Sequence, residues 1–556
     1  MSQKTLEVPT AAPASSSGDR TAVNTPGKPA EVPASAFFDG SVLADMVQHN
    51  AHRMRSVVKG ALAPDTVITV GTICSGSEVV VMCLLLIMLH YQEMGVNLKF
   101  VYSFGCELKT GVQNWIMQLI AELQRNHSLF VADPGCLFAR AEDMGNPTAL
   151  CVKHRRLCAV PHVDMIIAGT SCKDFSRAGG QGNSVSSVLT QPTTPGGSAQ
   201  QFYGLMGYLQ IHAISILLLE NVDTLEDTGK EATDATRTLV TPLRQMLQKI
   251  SAYGLQCHSF LTDAVIFGMP THRRRYYLVG LRAAASPLYT VGAGGLSEVF
   301  AKMSRLVAMC ERTAPCVSAV LLPAGHPAVE EELNRRTEQG RRGGDYNVGT
   351  SISQFSGLGL TWGSAAVPEH ILQSPWYDTL TGSQKTALTY SFAERPDAVT
   401  MRDISQSLCR LRHSSMADHR EIAFCQLPVQ IVWLNRHGEP SMLLGREAMT
   451  IQGFPLALVP MTVNATSEHQ MMSLAGNMMA SAIPLALVQA LLAAVPWTST
   501  SGAASVHTNS DDIDAAMRLF TNVSDNHLDS DDDMPNPPKR IRLRRQAPIV
   551  PGRPWM

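Results

Sequence analysis

The chain is 556 residues long, 45% hydrophobic and 17% charged, with a formal net charge of -2. That length allows two or more domains with substantial cores, and the near-neutral charge excludes a globally basic nucleic-acid binder, so any such contact must come from local patches. The longest apolar run, Val79 to Leu89, is too short to span a bilayer, which excludes a membrane protein. The twelve cysteines show no paired metal-ligand spacing: Cys151 and Cys158, like Cys310 and Cys316, are too irregularly set for a zinc ribbon. No metal site is therefore expected. With no secretory signal at the N-terminus, the cysteines read as reduced thiols of an intracellular protein.

Residues 1–36, rich in Ala, Pro, Ser and Thr, read as a disordered leader, and Ser41 to Lys59 as a short amphipathic helix. Order begins at Val67. A strand runs into the small-residue turn Ser75-Gly76-Ser77, and an apolar helix starts near Glu78. Glycine there lets a ligand approach the backbone, and the helix start offers free N–H groups, although an ordinary tight turn reads the same way. A second strand ends in Glu107, where doubly wound folds hold the ribose hydroxyls of a nucleotide-like ligand. Glu142-Asp143-Met144, after the short run Cys136 to Ala139, is a third such position.

The fourth strand, Met165 to Ala168, stops at Gly169 and puts Cys172 just past its carboxyl end. A cysteine there suits a nucleophile if its thiol pKa is lowered; the alternative is a small buried hydrophobe. Arg177 to Gln201 is a long polar loop with glycines at both ends, as a hinged lid would have. A helix over Phe202 to His212 leads to a fifth strand ending in Glu220 and Asn221, and a carboxyl at the end of a buried strand suits proton donation. The helix Ala235 to Tyr253 follows. Arg273, Arg274 and Arg275 then precede a strand, so alternate arginines can point into one site.

From about Ala283 to Ser441 periodicity weakens, and a smaller mixed domain is expected, with basic residues interspersed among acids. Order returns at Leu443 to Pro455, and Gly476-Asn477 is expected to open the apolar helix that follows. Beyond Trp497 the chain reads as a disordered tail, residues 498–556. An acidic run, Asp529 to Asp533, precedes a basic one, Pro538 to Arg545, that reads as a nuclear localisation signal or a nucleic-acid arm.

Taken together, the glycine turn, the ribose-type glutamate, the strand-end cysteine, Glu-Asn-Val, Arg-x-Arg, Gln-Gly-Phe-Pro and Gly-Asn resemble the cytosine-5 DNA methyltransferase family in order and spacing. The resemblance covers Val67 to Leu281 and Leu443 to Val495. It implies a doubly wound α/β fold dependent on S-adenosylmethionine, split into 37–282 and 443–497, with 283–442 as target-recognition domain. It further implies Cys172 as nucleophile, Glu220 as the residue that holds and protonates cytosine, and Arg273 and Arg275 as the arginine pair. Cys74, Gly76 and Glu78 match the first cofactor motif, Glu107 the ribose ligand, Asp143 the adenine contact and Asn477 the cofactor-side residue of the last motif. Arg446, Glu447 and Gln452 to Pro455 match the motif that braces the recognition domain.

The sequence departs from the family pattern at several points. Ser171-Cys172-Lys173 replaces Pro-Cys-Gln, Cys74 replaces an aromatic, Glu78 a glycine and Thr271 a glutamine. The implied partner is double-stranded DNA with the target base flipped out. The implied location is the nucleus, with an import receptor on Lys539 to Arg545. The alternatives are the same chemistry on RNA, or a catalytically dead nucleic-acid-binding scaffold; the joint presence of Cys172, Glu220 and Arg275 opposes the scaffold.

Overall fold

A computed structural model describes residues 30–498 except 39–40, 63–65, 127–130, 176–187, 190–196, 228–239, 285, 340–355, 357–366, 396–398 and 407. The expected tail, the basic run Lys539 to Arg545 and most of the expected lid lie outside the described residues.

The centre is a sheet of nine strands: β1 (Thr66–Ile73), β2 (Leu98–Cys106), β3 (Val131–Phe138), β4 (Thr148–Cys151), β5 (Arg156–Ala159), β6 (Met165–Ala168), β7 (Ile216–Val222), β8 (Leu255–Asp263) and β9 (Arg274–Arg282). Their spatial order is β5-β4-β3-β2-β1-β6-β7-β9-β8. Strands β3, β2, β1, β6 and β7 run parallel, while β9 is inserted antiparallel between β7 and β8. The order reverses between β1 and β6, so the loops after these two strands flank the crevice where doubly wound sheets bind ligands. This is a doubly wound α/β arrangement, as the resemblance implied.

β6 and β7 are apolar on both faces because both faces are covered. Met165 and Ile167 enter one core layer, Ile166 and Ala168 the other. Helix α1 (Val42–Ala61) packs on the first layer together with α2 (Val79–Glu93), while α3 (Thr110–Asn126) lies between β2 and β3 in sequence. The second layer is covered by α4 (Ser198–Ile211) and α5 (Pro242–Ser251). Residues 228–239 lie outside the described set, but Thr241 is extended and its side chain accepts from the Arg244 amide, so the helix expected from Ala235 is capped there and starts at Pro242.

Helix α6 (Gly295–Ala308) buries Leu296, Phe300 and Met303 in the main core rather than in the smaller unit. The smaller unit holds α7 (Pro327–Gln339) and α8 (Gly382–Glu394), an antiparallel sheet of β10 (Met401–Asp403), β13 (Val432–Arg436) and β14 (Glu439–Met442), and the hairpin β11 (Ser415–Ala417)–β12 (Arg420–Ile422). Its own core gathers Trp376, Leu388 and Trp433.

Helices α9 (Gly445–Ile451), α10 (Glu468–Asn477) and α11 (Ala482–Ala494) return to the main body. All thirteen residues of α11 are buried, as a helix apolar on every side but for Gln489 requires. A buried hydrogen bond from Asn50 to Gln489 (2.9 Å) ties it to α1. No single helix among the described residues is long and apolar enough to cross a membrane.

Two expectations need correction. The leader does not extend to residue 36: Val32, Ala36 and Phe37 are buried, and Val32 donates its N–H to Thr313 (3.0 Å), because these apolar side chains fill the seam between α1 and the 313–320 segment. Nor do Gly476 and Asn477 open the apolar helix. They end α10, and the chain turns by 46° before α11 starts at Ala482.

Candidate active site

β6 delivers Cys172 to the crevice, and the short loop that carries it is tied on three sides. The Asn221 side chain, on β7, donates to the Thr170 carbonyl (3.2 Å) and hydroxyl (3.0 Å). The Ser171 amide donates to the Gln201 side chain (2.8 Å). Asp174 accepts from the Ser198 amide (2.7 Å) and its own amide donates to the Ser198 hydroxyl (3.1 Å), so the loop caps α4. These ties stand where a proline would otherwise stiffen the backbone before the cysteine.

The register of β7 and β9 assembles the charges. Glu220 pairs with Tyr277 and Val222 with Arg275, which puts Glu220 and Arg275 on one face as diagonal neighbours. Arg275 Nε lies 3.2 Å from Glu220 Oε1, with both side chains mostly buried. Arg273 is also buried and Arg274 exposed, as alternation along a strand demands. Asp263 fixes the start of β9 by accepting from the Arg273 amide (2.6 Å) and pairing with His272 (3.0 Å). Burial pushes the Cys172 thiol up; Arg275 pulls it down, Glu220 raises it and Arg273 lowers it.

Cys172, Glu220 and Arg275 are therefore in one electrostatic neighbourhood. Arg273 reaches away from Glu220, donating to the carbonyls of Gln426 (3.3 Å) and of Gly476 (3.3 Å) in α10.

On the other side of the crevice, Gly76 sits at φ +76°, and a Cβ there would lie 2.7 Å from the Asn477 carbonyl oxygen. Glycine is thus required both by conformation and by the closeness of α10. Asn477, some four hundred positions later, is brought against the first loop. Glu107 follows β2 and accepts from the amides of Leu108 (2.9 Å) and Lys109 (3.3 Å). Asp143 lies on the 3-10 helix Ala141–Gly145 after β3. That helix can press on α4 because Gly204 is bare: a Cβ there would lie 2.2 Å from the Ala141 carbonyl oxygen.

Cys74, beside the first turn, is half-buried. Burial, then Glu107, Glu142 and Glu78, push its thiol well up. Cys74, Glu107 and the Glu142-Asp143 segment follow β1, β2 and β3, so they gather at one end of the sheet. The Ser77 hydroxyl, in the turn after β1, is buried without a protein partner among the described residues. Two carboxylates, a bare glycine and an unpaired hydroxyl fit a nucleoside-bearing ligand such as S-adenosylmethionine.

Glu78 lies close enough to raise the Cys74 thiol, but its carboxyl is engaged beneath the turn. It is 1% exposed and accepts from the Thr72 hydroxyl (2.6 Å) beneath the turn, and burial raises its carboxyl to about 7. A left-handed residue at the helix start turns its side chain inward. The bracing motif does span the two parts of the chain. Glu447 accepts from the Leu322 amide (2.8 Å) and from Arg436 Nη2 (2.9 Å) of β13, and Arg446 pairs with Glu468 (2.5 Å).

Sequence reasoning missed Cys425. Its Sγ lies 3.4 Å from Arg275 Nη2 and 3.6 Å from Arg273 Nη1. Burial raises that thiol, but Arg275, Arg273 and Arg412 outweigh it and leave it below its ordinary value. Nothing local marks Cys425, since its charged neighbours come from β9 and from Arg412. The reading of scattered cysteines is also corrected, because the fold brings Cys136, Cys151 and Cys158 together around His154.

The family model for C-5 cytosine-specific DNA methylase matches residues 150–309, which include Cys172, Glu220, Arg273 and Arg275. The chain is 24% identical over 467 residues to DNA (cytosine-5-)-methyltransferase DMT5 of Cryptococcus neoformans var. grubii, covering 78% of this chain but 17% of that protein. Among solved structures it is similar to the Dnmt2 methyltransferase of S. pombe (14% identity, TM-score 0.36, 77% of this chain and 98% of that one). It is also similar to a prophage-encoded putative DNA modification methyltransferase of E. coli (12%, TM-score 0.38, 76% and 98%).

Proposed function

We propose, on the match of residues 150–309 to the family model for C-5 cytosine-specific DNA methylase, that the chain transfers a methyl group from S-adenosylmethionine to C5 of cytosine in DNA through a covalent cysteine adduct. The observation that carries this reading is the joint placement of Cys172, Glu220 and Arg275 at the crevice.

C5 of cytosine is a weak nucleophile. Cys172 attacks C6 as the thiolate, and Glu220 donates a proton to N3, so that electron density gathers at C5. Arg275 orients Glu220 and favours the thiolate. Bound S-adenosylmethionine supplies the electrophilic methyl group. Water then takes the C5 proton as the Cys172 thiolate leaves and the C5–C6 double bond re-forms, and N3 returns its proton to Glu220. Glu107 and Asp143 would hold the ribose and adenine of the cofactor, and the close approach of Gly76 to Asn477 would flank it. The base must leave the duplex to reach this crevice. Residues 283–442 would bind the flanking DNA, and Lys539 to Arg545 an import receptor for a nuclear protein.

The test is tritiated methyl transfer from S-adenosylmethionine to unmethylated DNA, hemimethylated DNA and total RNA in parallel. Label in DNA that vanishes in Cys172→Ser, with cofactor binding kept, is the expected result. Glu220→Gln should lose about 10²–10⁴-fold in rate, the usual worth of a positioned acid. Label in RNA alone, or equal turnover by Cys172→Ser, would overturn the proposal.

A further inference from the structure

The β4–β5 hairpin at the far edge of the sheet carries a cluster that the methyl-transfer reading does not use. Phe138 on β3 pairs with Cys151 on β4, and Ala149 on β4 pairs with Cys158 on β5. Counting by twos along each strand puts Cys136, Cys151 and Cys158 on one face of the three-stranded edge. The turn between β4 and β5, with Arg155 at φ +53°, brings His154 back over that face.

The result is compact. His154 Nδ1 lies 3.6 Å from Cys136 Sγ, 3.3 Å from Cys151 Sγ and 3.4 Å from Cys158 Sγ, and all four ligand atoms lie within 4.8 Å of one another. A tetrahedral zinc ion with Zn–S of about 2.3 Å and Zn–N of about 2.0 Å requires S···N separations of about 3.5 Å. The three observed separations bracket that value.

We propose that Cys136, Cys151, His154 and Cys158 bind one zinc ion as a closed Cys₃His site. Four protein ligands leave no open position, so the site is structural rather than catalytic. Three thiolates and one imidazole select zinc over the oxygen-preferring magnesium and calcium. Binding displaces the thiol protons to solvent and leaves a complex of net charge -1, in a turn whose flanking residues Lys153, Arg155 and Arg156 are cationic. The ion would clip the hairpin to β3, whose end runs directly into the 3-10 helix bearing Asp143. The spacing C-x14-C-x2-H-x3-C escapes a search for paired C-x2-C knuckles because its first ligand comes from a separate strand.

The test is elemental analysis of the full chain, purified without chelators from zinc-supplemented cells. About one zinc per chain is expected, falling to background in Cys151→Ser/Cys158→Ser and kept in His154→Cys, which preserves four ligands. Cobalt substitution should give the visible absorption of a tetrahedral thiolate site. A second readout needs no variant. In the wild-type protein Cys136, Cys151 and Cys158 should resist N-ethylmaleimide and become reactive together when 1,10-phenanthroline is added, as followed by mass spectrometry. Background zinc in the wild-type chain would overturn the site. So would zinc undiminished in the double variant, labelling indifferent to chelator, or a disulfide within the cluster.

Discussion

Glu447→Ala should be among the most destabilising single changes in the chain, because Glu447 joins three segments inside a dry interior. Glu447 and Arg436 are 1% and 0% exposed and form an ion pair. Glu447 also accepts from the amides of Leu322 (2.8 Å) and Leu444 (2.9 Å). Alanine would leave a buried guanidinium with only the Ser441 hydroxyl (3.2 Å) and the Leu322 (2.6 Å) and Met442 (3.2 Å) carbonyls, and two amides without acceptors. Breaking a buried pair from one side costs about 3–5 kcal/mol, and the stranded amides put this case near the upper end. Glu447→Gln keeps an acceptor and the side-chain shape, so about 2 kcal/mol is expected. The double change Arg436→Met/Glu447→Leu removes both charges and should be less harmful than Glu447→Ala. Guanidinium unfolding followed by tryptophan fluorescence measures all three, with Trp433 on the same strand as Arg436. A Glu447→Ala protein within about 0.5 kcal/mol of wild type would refute the reasoning, since that is the range of an ordinary surface change. So would a double variant more destabilised than Glu447→Ala.

Two further outcomes follow from the buried ionisable groups. Glu78 keeps its proton up to about pH 7 when folded and releases it near the ordinary 4.5 when unfolded, because burial disfavours the charge. Between those values the folded state holds more protons, so this group's contribution to stability falls as pH rises from 4.5 to 7 and is level above that. Glu78→Gln removes the slope and should gain roughly 3 kcal/mol over wild type at pH 8 while matching it near pH 4.5. Parallel denaturation midpoints for the two proteins across that range would contradict this. At neutral pH, iodoacetamide should modify Cys425 before Cys172, because the arginines hold the first thiol below its ordinary value while burial holds the second above it. Peptide mass spectrometry over a time course decides the order, and the reverse order would show that Arg275 serves Cys172 more than Cys425.

What could be read from the sequence was whatever a short window encodes. β6 and β7 were legible as unbroken apolar runs, and Cys172, Glu220 and the arginine pair were legible because each sits at a strand boundary marked by an abrupt change in polarity. Alternation alone told Arg274 apart from its neighbours. The features that were missed share a different property: they exist only where distant segments meet. Gly476-Asn477 looked like a helix start because an apolar run follows; the docking of the first loop against Asn477 and the separate cap at Ser467 make it an end. Glu78 looked like a cofactor residue because of its place in the motif, yet a left-handed backbone points it at Thr72. Cys425 acquires its charge environment from residues about 150 positions away. The Cys₃His cluster needs the antiparallel return of β4 and β5 onto β3, and that pairing adds two strands to an edge where a parallel sheet would otherwise stop. Ligands set by strand register across a sheet edge have no characteristic spacing in sequence, so a cysteine count organised by adjacent pairs passes over them, whereas the two-residue periodicity of three neighbouring strands finds them at once.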